Sequence, residues 1–161
     1  MSVKLLIVFV CAAVGTCCGF FIMRNYRRSC EYYKDLCDLV GELRRNISYR
    51  RDSAATVLSR FKTDSSLLNR NIGEYLTFAR SKSDAPDISK GFLPADAFGD
   101  INAFFTSLGK NDGNSQLDEL EMYDKKFTML CEKATVKSSK YGTLAVKLGF
   151  LFGLAVGVLF L

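Results

Sequence analysis

Histidine is absent from this sequence of 161 residues, and so are the short motifs that mark most catalytic or metal sites. Without histidine the chain lacks the commonest general base and the commonest metal ligand. Six cysteines occur, but no pair has the C-x-x-C spacing that is typical of zinc sites. A glycine-rich phosphate loop is also missing. These absences argue against an enzyme, and we expect neither a metal ion nor a cofactor. We expect the cysteines to be reduced and to act as small apolar residues.

Charge is missing from both ends of the chain. Residues 3–23 and 144–161 hold almost no charge, and every Asp and Glu lies within residues 24–140. This middle segment carries 20 basic and 17 acidic residues, which gives a net charge of +3 with the two signs interspersed. A nucleic-acid interface needs a concentrated basic patch, so we expect no nucleic-acid partner.

The two uncharged runs have the length of membrane-spanning helices, since crossing a hydrocarbon core takes roughly 20 helical residues. In the C-terminal run, Lys147 stands near the start, where its amine can reach the headgroups; the alternative for this run is a buried core helix. The N-terminal run could be a signal peptide or a lipoprotein signal ending at Cys17, but it lacks a small-residue cleavage site and Thr16 is a poor match. We predict transmembrane helices over residues 3–23 and 141–161 and a soluble segment over residues 24–140.

Both predicted spans carry glycines four residues apart, Gly15 and Gly19 in the first and Gly149 and Gly153 in the second. Small residues at this spacing let helix backbones approach closely. The two glycine faces are therefore candidates for a contact between the spans, either within one molecule or between copies.

Basic residues flank both spans on the side of the middle segment. They are Arg24, Arg27, Arg28, Lys34, Lys133, Lys137, Lys140 and Lys147. Only Lys4 and the N-terminal amine lie on the other side. By the positive-inside rule, we expect the middle segment in the cytoplasm and both termini outside the cell membrane.

The middle segment shows helical periodicity and no strand pattern. Apolar or small residues recur at steps of three or four between Tyr26 and Ile47, which predicts one long helix continuous with the first span. Start signals for four further helices follow at Asp52 or Ser53, at Ser65 or Ser66, at Pro94 and near Ser115. We therefore predict an all-α protein, with a cytoplasmic bundle of about five to six helices between the two transmembrane helices.

Two pairs of aromatic residues, Tyr32-Tyr33 and Phe104-Phe105, are expected in the core of this bundle. The apolar stripe of the helix that starts near Ser65 is expected to include Leu76 and Ala79.

Four arginines lie near the first corner of the predicted bundle and form the first candidate partner-binding surface. They are Arg44, Arg45, Arg50 and Arg51. Such a run is either a solvated face or a docking site for an acidic partner, held by complementary charge.

The turn from Leu108 to Gln116 is the second candidate. Gly109 is expected to end a helix in a left-handed conformation. Asp112 either caps the next helix or contacts a partner, and Gln116 either bonds back to the turn or contacts a partner.

Three stretches form a set by their order and their place between two terminal spans. They read Phe104-x-x-x-Leu108-Gly109-x-x-Asp112-x-x-x-Gln116, Tyr141-x-x-Leu144-x-x-x-Leu148-Gly149-Phe150-Leu151-x-Gly153-Leu154 and Leu43-x-x-x-Ile47-x-Tyr49. Together they resemble the stage III sporulation protein AB family. Two positions depart from the family pattern: Asn46 stands where an acidic residue is frequent, and Ser53-Ala54 stands where Pro-Leu is frequent.

The resemblance implies a protein of the mother-cell membrane around the forespore, in endospore-forming bacteria. Its cytoplasmic domain would resemble the helical bundle of the inner-membrane platform proteins of type II secretion and type IV pilus systems. The implied role is non-enzymatic: to couple a secretion-type ATPase of the same operon to the other membrane subunits of a channel between mother cell and forespore. Membrane lipid is a further expected partner, and self-association is left open.

Two other functions remain to be separated from this one. The first is a membrane-anchored helical adaptor or regulatory protein that binds a soluble cytoplasmic partner and is unrelated to secretion. The second is an enzyme at the membrane surface, which the lack of histidine and of catalytic motifs disfavours.

Overall fold

The computed structural model describes residues 2–50, 52–81, 86–110 and 113–159, and within these residues it contains helices, turns and no strand. The helices are α1 (Ser2–Arg50), α2 (Ala54–Arg60), α3 (Ser66–Ser81), α4 (Ala95–Ser107), α5 (Gly113–Lys137) and α6 (Thr143–Leu159). A π-helical turn, Ser138–Gly142, joins α5 to α6. The predicted all-α class is confirmed for this part of the chain, and α1 is the long helix that the periodicity predicts. The cytoplasmic placement of the middle helices stays a prediction.

The helix starts agree with the capping signals in the sequence. Ser53 precedes α2, and its side-chain oxygen accepts a hydrogen bond from the Thr56 N–H at 3.3 Å. Ser65 precedes α3 and accepts in the same way from the Leu68 N–H at 3.4 Å. Pro94 stands just before α4. The first N–H groups of a helix have no acceptor within the helix. The two serines supply an acceptor, and proline has no N–H that needs one.

The chain divides into two compact units. One unit, the helix pair, comprises Met1–Cys30 and Lys133–Leu161, and the other, the helical domain, comprises Glu31–Glu132. Helices α1 and α5 contribute residues to both units.

Aromatic rings fill the centre of the helical domain. The Phe104 ring lies 5.1 Å from the Phe105 ring and 5.3 Å from the rings of Tyr123 and Phe127, each at a steep angle between the ring planes. Such edge-to-face contacts place the positive edge of one ring on the negative face of another. Phe104 is fully buried, and its ring contacts with Tyr123 and Phe127 join α4 to α5. The two aromatic pairs predicted in the core are both buried.

One buried polar side chain, Asn71 of α3, is satisfied on all sides. Its amide oxygen accepts from the Tyr32 hydroxyl at 2.9 Å, and its nitrogen donates to the carbonyls of Leu67 (3.1 Å) and Ser89 (3.2 Å). A buried amide with its hydrogen bonds made costs little, whereas an unpaired one is expensive. Asn71 therefore fixes α3 against α1 and against the segment after α3.

The prediction for Ala79 was wrong, because this residue is exposed. Leu76 is half-buried. Tyr75 is the last buried residue of α3. The final turn of the helix extends beyond the core, although the apolar periodicity continues to Ala79.

Glycine backbones meet within the helix pair. A Cβ added to Gly15 would overlap the Gly149 carbonyl oxygen, and one added to Gly149 would overlap that of Gly15. A Cβ at Gly153 would lie 2.5 Å from the Cys11 carbonyl oxygen, and one at Gly19 would lie 2.5 Å from that of Ala145. The glycine faces noted in the sequence thus contact each other within one molecule, at distances that no larger residue permits.

The six cysteines all lie in the described part of the chain and form no disulfide there. Burial raises the pKa of the Cys37 thiol to about 11, so it stays protonated and unreactive at neutral pH. These observations agree with cysteines that act as small apolar residues.

Candidate partner-binding surfaces

Two of the four predicted corner arginines form ion pairs within the helical domain. The Arg44 guanidinium lies 3.5 Å from the Glu121 carboxylate and 3.9 Å from that of Asp124, on α5. Arg45 donates to Glu42 at 2.8 Å, one helical turn earlier on α1. All these side chains are partly exposed, so each pair contributes little to stability.

The acidic partners of these arginines are held in their ionised form. Hydrogen bonds from Arg45 and Asn46 hold the pKa of Glu42 below its usual range. A hydrogen bond from Lys125, aided by the charge of Arg44, does the same for the pKa of Glu121. Much of the positive charge of Arg44 and Arg45 is therefore met by the chain itself.

Arg50 differs from Arg44 and Arg45. It is exposed at the end of α1 and forms no ion pair with any residue in the described part of the chain. The structure brings it to a cleft that Arg60 and Lys62 also line. The fourth predicted arginine, Arg51, lies outside the described residues. No pattern in the sequence indicates that Arg60 and Lys62 would join this surface, because their place beside Arg50 depends on how α1 and α2 meet.

The turn after α4 is built on Leu108 and Gly109. Leu108 is buried, and its carbonyl accepts a hydrogen bond from the Tyr75 hydroxyl at 3.1 Å. Gly109 follows with a φ of 77°, the left-handed conformation in which other residues are strained. This geometry ends α4 and ties the turn to α3.

Gln116, in the first turns of α5, is the polar end of the same region. It is 8% exposed, and its amide nitrogen finds no acceptor among the described residues. Asp112 lies outside them, so the prediction that it caps α5 or contacts a partner has no structural outcome. An amide nitrogen that is buried without an acceptor costs roughly 1–3 kcal/mol, so Gln116 is a destabilising group in the described part of this turn.

Two helical stretches are long and apolar enough to cross a membrane. They are Val8–Arg50 and Ser115–Leu159, the second of which runs through the π-helical turn. Apolar side chains of both stretches, such as Phe9, Phe21, Leu151 and Phe152, are largely exposed, as expected of a surface that faces lipid. The membrane location that the sequence predicts is consistent with this finding.

The chain is thus an all-helical protein with two apolar helices of membrane-spanning length. A family model, described as stage III sporulation protein AB, matches residues 88–161, just under half of the chain. The resemblance noted in the sequence is confirmed over this stretch, which contains the turn from Leu108 to Gln116 and the glycines of α6. It relates the chain to stage III of sporulation. The corner arginines lie outside the matched residues. Neither a curated protein nor a solved structure matched the chain.

Proposed function

We propose that this chain is a non-enzymatic membrane subunit of a sporulation channel, and that it couples a cytoplasmic secretion-type ATPase to the membrane assembly. The family match over residues 88–161 carries the proposal, because it ties the chain to stage III of sporulation. The site of action would be the mother-cell membrane around the forespore.

The helix pair supports the anchoring part of this role. Backbone contact through glycines, as between Gly15 and Gly149, is a way for two helices to associate in lipid. Lipid tails are as apolar as the side chains, so the hydrophobic effect does not drive this association and close packing does. The basic residues that follow the first span and precede the second favour a cytoplasmic helical domain, with both termini outside.

The helical domain supports the docking part. Its surface charges are of both signs and interspersed, and Arg50 is exposed and forms no ion pair with a described residue. A surface of this kind selects a partner by complementary charge more than by apolar area.

Isolation of the tagged full-length chain from sporulating cells, in mild detergent, tests the proposal. We expect the secretion-type ATPase of the same operon to co-purify, together with other membrane subunits of the channel. A preparation that yields a different soluble partner and no ATPase would support the membrane-anchored adaptor and overturn the coupling role. Replacing Arg44, Arg45, Arg50 and Arg51 together with Ser should weaken ATPase recovery while the helical circular dichroism is preserved.

A further inference from the structure

A cleft opens in the helical domain between the end of α1 and α2. Its lining residues are Glu42, Asn46, Arg50, Asp52, Val57, Arg60, Phe61 and Lys62. Its volume is about 200 Å³, below the roughly 300–1,000 Å³ that is usual for small-molecule sites. The cleft therefore has room for about one side chain of a protein partner rather than for a cofactor.

The cleft has an apolar floor. Val57 is buried and Phe61 is half-buried, and the Phe61 N–H donates to the Val57 carbonyl at 3.1 Å, where α2 ends. The two side chains are thus held in place by the backbone turn that carries them. An apolar side chain of a partner placed against them would remove the remaining exposed surface of Phe61 from water, which is favourable.

The two acidic residues of the lining are already engaged. Glu42 accepts hydrogen bonds from Arg45 at 2.8 Å and from Asn46 at 2.7 Å. Asp52 lies 3.8 Å from the Arg60 guanidinium. Arg50 and Lys62 form no ion pair among the described residues. The charge of Arg50 helps to lower the pKa of Glu42, but from beyond ion-pair distance.

Local helix stability accounts for part of this charge. Arg50 and Arg60 stand in the last turns of α1 and α2, where a cation interacts favourably with the free carbonyls. That interaction is local to each helix and does not require the two arginines to meet Lys62 around one apolar floor. Arg50 and Lys62 are thus two cations without an ion pair among the described residues, beside one apolar floor in a cleft with room for one side chain. A partner would recognise this combination.

We propose that this cleft binds an acidic segment of a protein partner, which inserts one apolar side chain over Val57 and Phe61 and sets its carboxylates on Arg50 and Lys62. The inference rests on the proposed function, since it assumes that the helical domain docks a cytoplasmic protein. It differs from the corner predicted in the sequence, because Arg44 and Arg45 are paired internally and Lys62, which forms no ion pair among the described residues, joins Arg50.

A fluorescent twelve-residue peptide with one leucine among aspartates and glutamates is the probe, titrated by anisotropy against the full chain in uncharged detergent micelles. We expect saturable binding that weakens about tenfold or more when Arg50 and Lys62 are both replaced with Ser. Replacing the leucine of the peptide with serine should weaken binding as well. Arg70→Ser, which removes an exposed arginine from α3, is the matched control and should change nothing. If the double variant bound the peptide as tightly as the unchanged chain does, or if the serine peptide bound as tightly as the leucine peptide, the proposed binding at the cleft would be overturned.

Co-purification of the ATPase separates the two proposals. Loss of ATPase recovery in the Arg50→Ser, Lys62→Ser variant, with unchanged circular dichroism, would place the ATPase contact at the cleft. If the double variant lost the peptide and kept the ATPase, the cleft as ATPase contact would be overturned and the coupling role would stand. If even the unchanged chain failed to retain the ATPase, the coupling role would fail while the peptide titration would still decide the cleft.

Discussion

The Tyr32 hydroxyl and the Asn71 amide, 39 residues apart in sequence, meet at 2.9 Å inside the helical domain. Asn71→Leu would leave the Tyr32 hydroxyl and the Ser89 carbonyl without a partner. Since each buried group left unpaired costs about 1–3 kcal/mol, we expect the variant to lose at least about 2 kcal/mol of unfolding free energy. Urea unfolding followed by circular dichroism would measure the loss.

The matched control is Asn69→Leu on the same helix. The Asn69 amide donates to the Thr63 carbonyl at 2.9 Å, but it is exposed, so its loss should cost less than about 1 kcal/mol. The double variant Tyr32→Phe, Asn71→Leu should lose less unfolding free energy than the sum of the losses in the two single variants, because both substitutions remove the same hydrogen bond. Strict additivity would mean that the two side chains act independently.

Glycine-to-alanine changes should have opposite signs in the two units. Gly149→Ala places a methyl group against the Gly15 carbonyl, so we expect the helix pair to lose stability, by about 1–3 kcal/mol. Gly73→Ala, inside α3, meets no atom within 4 Å and should gain about 0.5–1 kcal/mol, because glycine is costly in a helix. Thermal unfolding in detergent micelles would give both. A stabilising Gly149→Ala would show that the backbones do not touch.

Alkaline pH should weaken the helical domain. Burial raises the pKa of Tyr33 to about 12 from an ordinary value of 10.0, and it raises that of Cys37 to about 11 from 9.0. The pKa values of Tyr32 and Tyr75 are raised by the same cause. A group whose pKa is higher in the folded state contributes stability below its unfolded pKa and loses it as pH rises. Unfolding free energy should therefore fall from about pH 9 upward.

Tyr33→Phe tests the origin of this fall. A shift of two pKa units corresponds to at most about 3 kcal/mol, so the variant should show a shallower decline between pH 10 and 12. Tyr49→Phe changes a ring that is 86% exposed and serves as the control. Parallel pH profiles for the unchanged chain and Tyr33→Phe would assign the decline to other groups.

Orientation in the membrane can be read with a cysteine at the exposed position 49. Tyr49→Cys should react with a membrane-impermeant maleimide only after the cells are permeabilised, because the helical domain is expected on the cytoplasmic side. The unchanged chain corrects for the native cysteines, of which Cys37 is a poor reporter with its raised pKa. Labelling of Tyr49→Cys in intact cells would reverse the predicted topology.

Periodicity and capping predicted most of the helices, since both depend on residues close in sequence. The apolar steps from Tyr26 to Ile47 predicted α1, and Ser53 and Pro94 marked helix starts. The glycine spacing also indicated the face by which the two apolar helices meet. These features are local, so one sequence suffices to find them.

Contacts between distant segments could not be predicted in this way. Nothing in the residues around Asn71 indicates that Tyr32 lies beside it, and the exposure of Ala79 depends on where the core ends rather than on the helix period. Arg60 and Lys62 line one cleft with Arg50, and periodicity within each helix carries no information about how α1 and α2 meet. The docking role inferred for the run of arginines stays a prediction.

Gln116 separates a structural role from a binding role at the turn after α4. Gln116→Met keeps the length of the side chain and removes an amide nitrogen that is buried without an acceptor in the described chain. If a partner supplies the acceptor for that nitrogen, removing it should raise the free energy of unfolding of the chain by about 1 kcal/mol. The same variant should recover less of its partner from sporulating cells. Urea unfolding and the quantity of co-purified ATPase are the two measurements. Asn102→Met, on the half-buried side of α4, is the control for a polar-to-apolar change of similar size. A less stable Gln116→Met would mean that the amide is satisfied within the chain and that its place in the turn is structural.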